Sequence, residues 1–117
     1  MLAIFIAAFM AAAAPFPLKV ARDKQDRAAL TDLAAQLSAA ATKAPNDPEA
    51  QYRAALANCY LAEVAIELRD RKAGRQIAQQ GIRFAEKTVA LKPGNAEYYR
   101  LLGTLYGQAV TDRKSVV

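Results

Sequence analysis

The chain has 117 residues, with 16 Lys plus Arg against 11 Asp plus Glu, one cysteine, and neither histidine nor tryptophan. That length allows one small domain with a modest core, and abundant alanine with few β-branched runs points to an all-α fold. Without histidine, Ser-His-Asp and Cys-His catalysis cannot be built, and carboxylates are left as the main metal ligands, so no enzyme activity, metal or cofactor is expected. The formal charge of +5 is spread along the chain among acidic residues. Its densest cluster, Arg69, Arg71, Lys72 and Arg75 around Asp70, reads as a solvated turn. No aromatic residue interleaves with it to stack on bases, so no nucleic-acid partner is expected.

Residues 1–14 form an uninterrupted apolar run, too short to span a bilayer comfortably but suited to a signal-peptide core. Small residues at Ala11 and Ala13, or at Ala12 and Ala14, offer a cleavage site, although no basic residue precedes the run. The reading is export to the periplasm, or an uncleaved N-terminal anchor facing it, with membrane contact only through this segment. Residues 15–25, which include Pro15, Pro17, Lys19, Arg22, Asp23 and Lys24, read as a polar linker.

A first helix is predicted from about Asp26 to Lys43, with Leu30, Leu33, Leu37 and Ala40 on one face. Pro45 then stops it, Asp47 can cap the next helix, and Pro48 takes the favoured first helical position. That second helix reads on to about Arg71. Tyr52, Leu56, Cys59, Ala62 and Ile66 form one stripe and Tyr60, Val64 and Leu68 another, a breadth that predicts contact from two sides. Cys59 reads as a small core residue. Glu63 and Glu67 read as a solvated face, with Glu67 paired to Arg71. Gly74 is placed near a turn, and a third helix follows to about Leu91 with Ile77, Gly81, Phe84, Thr88 and Leu91 in phase. Pro93 ends it and pushes Lys92 toward extended geometry. Gly94 and Asn95 favour a left-handed turn, and Asn95 can cap a fourth helix that runs to about Val110. Tyr99, Leu102 and Tyr106 share a face there, and Gly103 would let a neighbouring helix approach closely.

The run from Val89 to Tyr106 resembles the junction between two tetratricopeptide repeats. In those repeats a proline closes helix B, and the next helix A carries an aromatic, a Leu-Gly pair and a tyrosine. Pro93, Tyr99, Leu102, Gly103 and Tyr106 stand at those positions, with Phe84 in the preceding helix and Pro45 at the earlier junction. The resemblance is specific over residues 81–106, loose over 32–58 and absent before Lys19. The two junction prolines lie 48 residues apart, against a family repeat of roughly 34. The implied fold over 26–110 is all-α: antiparallel helix hairpins stacked as a short right-handed solenoid, one divergent repeat with a half-repeat on either side.

The resemblance implies a non-catalytic scaffold that binds a protein or peptide in a groove. By family position, Glu97, Arg100 and Thr104 would line it from the last helix, and Tyr52, Leu56 and Cys59 from the second. The partner of the last helix is expected to lie beyond the sequence given, leaving Leu101, Leu105 and Tyr106 uncovered and favouring self-association. Residues 111–117 follow no apolar periodicity and read as a disordered or non-native tail, since 112–117 matches read-through of a common sequencing adapter. Two other readings stand beside the scaffold: a membrane-anchored, self-assembling structural subunit, and an anion-binding module using Arg69 to Arg75.

Overall fold

Four short acceptor side chains set where the helices begin, and the computed structural model, which describes residues 15–110, shows each at work. The five helices among the described residues are α1 (Pro15–Asp23), α2 (Arg27–Lys43), α3 (Pro48–Glu67), α4 (Arg71–Leu91) and α5 (Ala96–Ala109), with no strand. Asp26 accepts from the Ala29 amide, Asp47 from Glu49 and Ala50, Asp70 from Ala73, and Asn95 from Glu97. Each satisfies a backbone donor that the first turn leaves without a partner.

The connections come in two alternating kinds. After α1 and after α3 the chain turns through a residue in the left-handed region, Gln25 (φ 53°) and Arg69 (φ 69°). The next amide in each reaches back to the helix: Asp26 N–H to the Ala21 carbonyl and Asp70 N–H to the Ala65 carbonyl, both at 2.8 Å. These are matching helix-terminating loops, and each hands its aspartate directly to the following helix as a cap. After α2 and after α4 the chain instead leaves, just before proline, through a residue with negative φ and ψ short of the extended region, Ala44 (φ −126°, ψ 66°) and Lys92 (φ −139°, ψ 79°). The same structural sequence of turns therefore recurs, 44 residues on at one end of the helices and 48 at the other.

Several expectations need correction. Residues 15–23 are helical, because Leu18 and Ala21, three apart, are both buried. α3 stops at Glu67, and its turn is made by Arg69, while Gly74 lies inside α4. No glycine among the described residues has positive φ, so the Pro93 turn is made without a left-handed Gly94. Glu67 accepts from the Gln25 side chain at 3.0 Å, which ties the two matching turns together alongside the Arg27–Asp70 ion pair at 2.9 Å. On α2 the buried positions are Leu30, Ala34 and Ala41, whereas Ala40 is exposed.

Helix α3 touches the other four helices and carries the core. Nearly every residue from Ala54 to Ala65 is buried, half of the buried ones being alanines that let neighbouring helices come close. α1, α2, α4 and α5 all pack against α3, and α5 also packs against α4 as α1 does against α2. α4 approaches through Gly74, Ala78, Gly81, Ala85 and Thr88, all buried at alternating three- and four-residue spacing. Gly81 is the tightest meeting point with α5, since a Cβ added there would sit 2.7 Å from Leu105 Cδ2 and 3.1 Å from Asn58 Cβ.

On α5 the residues that face this core are Tyr98, Leu101 and Leu105. Tyr99 is 49% exposed and Tyr106 is 47% exposed, and a Cβ added at Gly103 would meet nothing within 4 Å. The helix is therefore rotated from the expected packing face by about one residue, or roughly 100°. Leu101 and Leu105, expected to be uncovered, are fully buried, and no helix among the described residues approaches Gly103.

Candidate partner-binding face

α1, α3 and α5 present their side chains on a common side, where charged groups from three helices gather around aromatic rings. Asn95 starts α5 so that Glu97 and Arg100 fall three residues apart. Arg100 donates from Nε and Nη2 to the Glu97 carboxylate at 2.6 and 2.7 Å. Across the helix gap, Tyr52 donates its hydroxyl to Glu97 Oε2 at 2.8 Å, and its ring lies 5.1 Å from that of Tyr98 at 35°. Arg100 beside it, helped by Tyr52, holds the Glu97 carboxyl below the usual range. Burial and the Glu97 charge push the Tyr52 phenol well above its ordinary value. Arg100 uses only part of its five-donor fork on Glu97, leaving N–H groups for a ligand.

The second part of the face is built from α1 and α3. Arg22 places its guanidinium carbon 4.6 Å above the Tyr60 ring and also pairs with Asp23 at 3.1 Å. Glu63 lies one turn along α3, where burial raises its carboxyl. Arg22 from α1 and Arg100 from α5 both lower the Tyr60 hydroxyl electrostatically, although burial outweighs them and its net shift is upward. Arg22 is thus the cation seated on Tyr60, while the guanidinium of Arg100 is held by Glu97 and acts on that ring only at longer range.

Of the six residues expected to line a groove, the structure brings Tyr52, Glu97 and Arg100 into one bonded cluster. Thr104 is exposed one turn beyond Arg100 and donates to the Arg100 carbonyl at 3.0 Å. Leu56 and Cys59 belong to the core, so they support the face from below rather than present a surface. Cys59 is 3% exposed, and burial pushes its thiol up to about 11. Gln108 of α5 donates to the Cys59 carbonyl at 3.1 Å and closes that end. Sequence reasoning missed Arg22, Tyr60 and Gln108. The available signal was the Leu18–Ala21 spacing, which marks residues 15–23 as a packed helix and thereby puts Arg22 next to α3.

The opposite side holds a shallow groove of ≈ 390 Å³ between α2 and α4, with Ser38, Thr42, Gln80, Arg83 and Lys87 on its walls and Phe84 partly buried in it. Gln51 forms its floor and is 1% exposed, donating to the Ala41 and Ala44 carbonyls at 2.8 and 2.9 Å. The Arg69–Arg75 cluster surrounds the second left-handed turn, where Arg69, Arg71 and Lys72 are exposed. No helix among the described residues is long and apolar enough to cross a membrane; the N-terminal apolar run and the 111–117 tail lie outside the described residues. Compared with known proteins, the chain matches no family model, and no curated protein or solved structure matches it either.

Proposed function

We propose that this chain is a non-catalytic interaction scaffold, a short right-handed stack of tetratricopeptide-like hairpins that holds an acidic protein segment on its α1/α3/α5 face. The observation that carries the reading is the Arg22 guanidinium stacked on Tyr60 of α3, with a second guanidinium, Arg100 of α5, tied to the same helix through Glu97 and Tyr52. A partner carboxylate placed there would meet the N–H groups that Arg22 and Arg100 do not spend on Asp23 and Glu97, beside an aromatic platform, a combination that recurs where proteins recognise acidic peptides. The alternating turns support the repeat assignment, because they regenerate the same hairpin geometry in a second copy. The apolar residues 1–14 support a working site in the periplasm, with this segment as signal peptide or anchor.

The test is a titration of the full chain, in mild detergent, with an acidic peptide selected from a display library. Amide chemical-shift changes should cluster at Arg22, Tyr60, Glu63, Arg100 and Thr104, and the double variant Arg22→Ala with Arg100→Ala should lose binding. Shifts confined to Ser38, Thr42, Arg83 and Lys87 would instead move the site to the α2/α4 groove and defeat the proposal.

A further inference from the structure

Helix α5 can be compared with α3 position by position, because Asp47 and Asn95 cap them in the same way, 48 residues apart. On α3 the positions Gln51, Ala55, Asn58 and Ala62 are all buried between α2 and α4, as the Gln51 bonds to α2 and the Asn58 contacts with Ser38 and Gly81 record. Their counterparts on α5 are Tyr99, Gly103, Tyr106 and Val110. α4 flanks them on one side only, through the bond from the Tyr106 hydroxyl to Glu86 Oε2 at 2.7 Å. Tyr99, Tyr106 and Val110 stay 49%, 47% and 53% exposed, and nothing lies within 4 Å of a Cβ at Gly103 or Gly107.

We infer that this bare face of α5 is covered by α5 of a second copy of the chain, packed antiparallel across a two-fold axis. The spacing of its residues carries the choice of occupant. About a point midway between Thr104 and Leu105, Tyr106 falls opposite Gly103, Tyr99 opposite Val110, and Leu102 opposite Gly107. Each large side chain therefore meets glycine or an aliphatic residue of the other copy, and the same pairs recur on both sides of the axis, as an isologous contact requires. Charge points the same way. The protein carries a formal +5, yet between Tyr99 and Val110 the one charged side chain is Arg100, which Glu97 pairs, so two copies can approach there with little repulsion. The inference is independent of the α1/α3/α5 face, because Arg22, Tyr60 and Arg100 take no part in it.

The test is sedimentation of the full chain in density-matched detergent. The unaltered protein should be dimeric. Gly103→Glu and Gly103→Lys, each placing a charge where there is open space, should each raise the dimer dissociation constant by about tenfold or more, while the melting temperature of the monomer, read at concentrations low enough to suppress association, does not fall. Mixed together, the two variants should form a heterodimer. Val110→Glu gives the same readout from the edge of the face if a Gly103 variant folds poorly. A monomeric unaltered chain would overturn the inference, including the case in which another protein's helix takes this face. So would a dimer that survives both Gly103 substitutions, which would place the contact elsewhere, for instance in residues 1–14.

Discussion

Replacing Gly81 by alanine tests the packing at the centre of the molecule, and the parallel change at Gly103 isolates it. Both glycines are interior to helices, so alanine gains about 1 kcal/mol of helix propensity at either site. At Gly81 the new Cβ would lie 2.7 Å from Leu105 Cδ2 and 3.1 Å from Asn58 Cβ. Leu105 is wholly buried and Asn58 is held by bonds to the Ala54 carbonyl and Ser38, so neither can retreat freely. Overpacking of this kind costs about 1–3 kcal/mol. The net expectation for Gly81→Ala is a loss of about 1 kcal/mol, lowering the melting temperature by roughly 4–8 °C. Gly103→Ala meets no neighbour and should gain about 0.5–1 kcal/mol. Thermal unfolding followed by far-UV circular dichroism, at concentrations low enough to suppress association, reads both. If Gly81→Ala stabilises the protein as much as Gly103→Ala does, the close approach of α4 to α5 at Gly81 is wrong.

Two further outcomes follow from the chemistry of single groups. Cys59, with a pKa pushed up to about 11 by burial, should resist a thiol reagent at neutral pH and react at the free-thiol rate only in denaturant; fast reaction in the native state would show that α3 is not packed as described. Glu97 has a folded pKa below its unfolded value, so its contribution to stability is present above the ordinary carboxylate range and disappears as pH falls through the folded value. Glu97→Gln should therefore lower stability at neutral pH and flatten its decline in acid, and urea titrations from neutral to acid pH that give parallel curves for both proteins would refute this.

Much of the fold was legible because helix ends are decided locally. Asp47 with Pro48, and Pro93 with Asn95, each carry a stop or cap whose physics needs no distant partner, and the helix ends beside them fall within a residue or so of where the sequence places them, whereas the turn at Arg69, which has no proline, was misplaced. The facing of α5 was not legible for a reason visible in its composition. Tyr98-Tyr99, Leu101-Leu102 and Leu105-Tyr106 are apolar doublets, so a rotation by one residue preserves the pattern, and only contact with α3 and α4 decides between the two. The same limit applies to the candidate site. Glu97 and Arg100 are paired within one helix, whereas the approach of Arg22 to Tyr60 depends on α1 docking against α3 across a long stretch of sequence.

The matching turns bear on how such a chain can change length. α4 has 21 residues and α2 has 17, although both run between the same kinds of turn. The difference of four residues is close to one helical period of about 3.6, so the longer helix adds a turn at its end while its inward face keeps nearly the same azimuth. Insertions and deletions of three or four residues within α2 or α4 are thus the ones this architecture can absorb, while one or two residues would swing Gly81 or Ala34 away from α3. Hairpins of unequal length can then be joined in one stack, and the edge of that stack becomes stepped rather than flush.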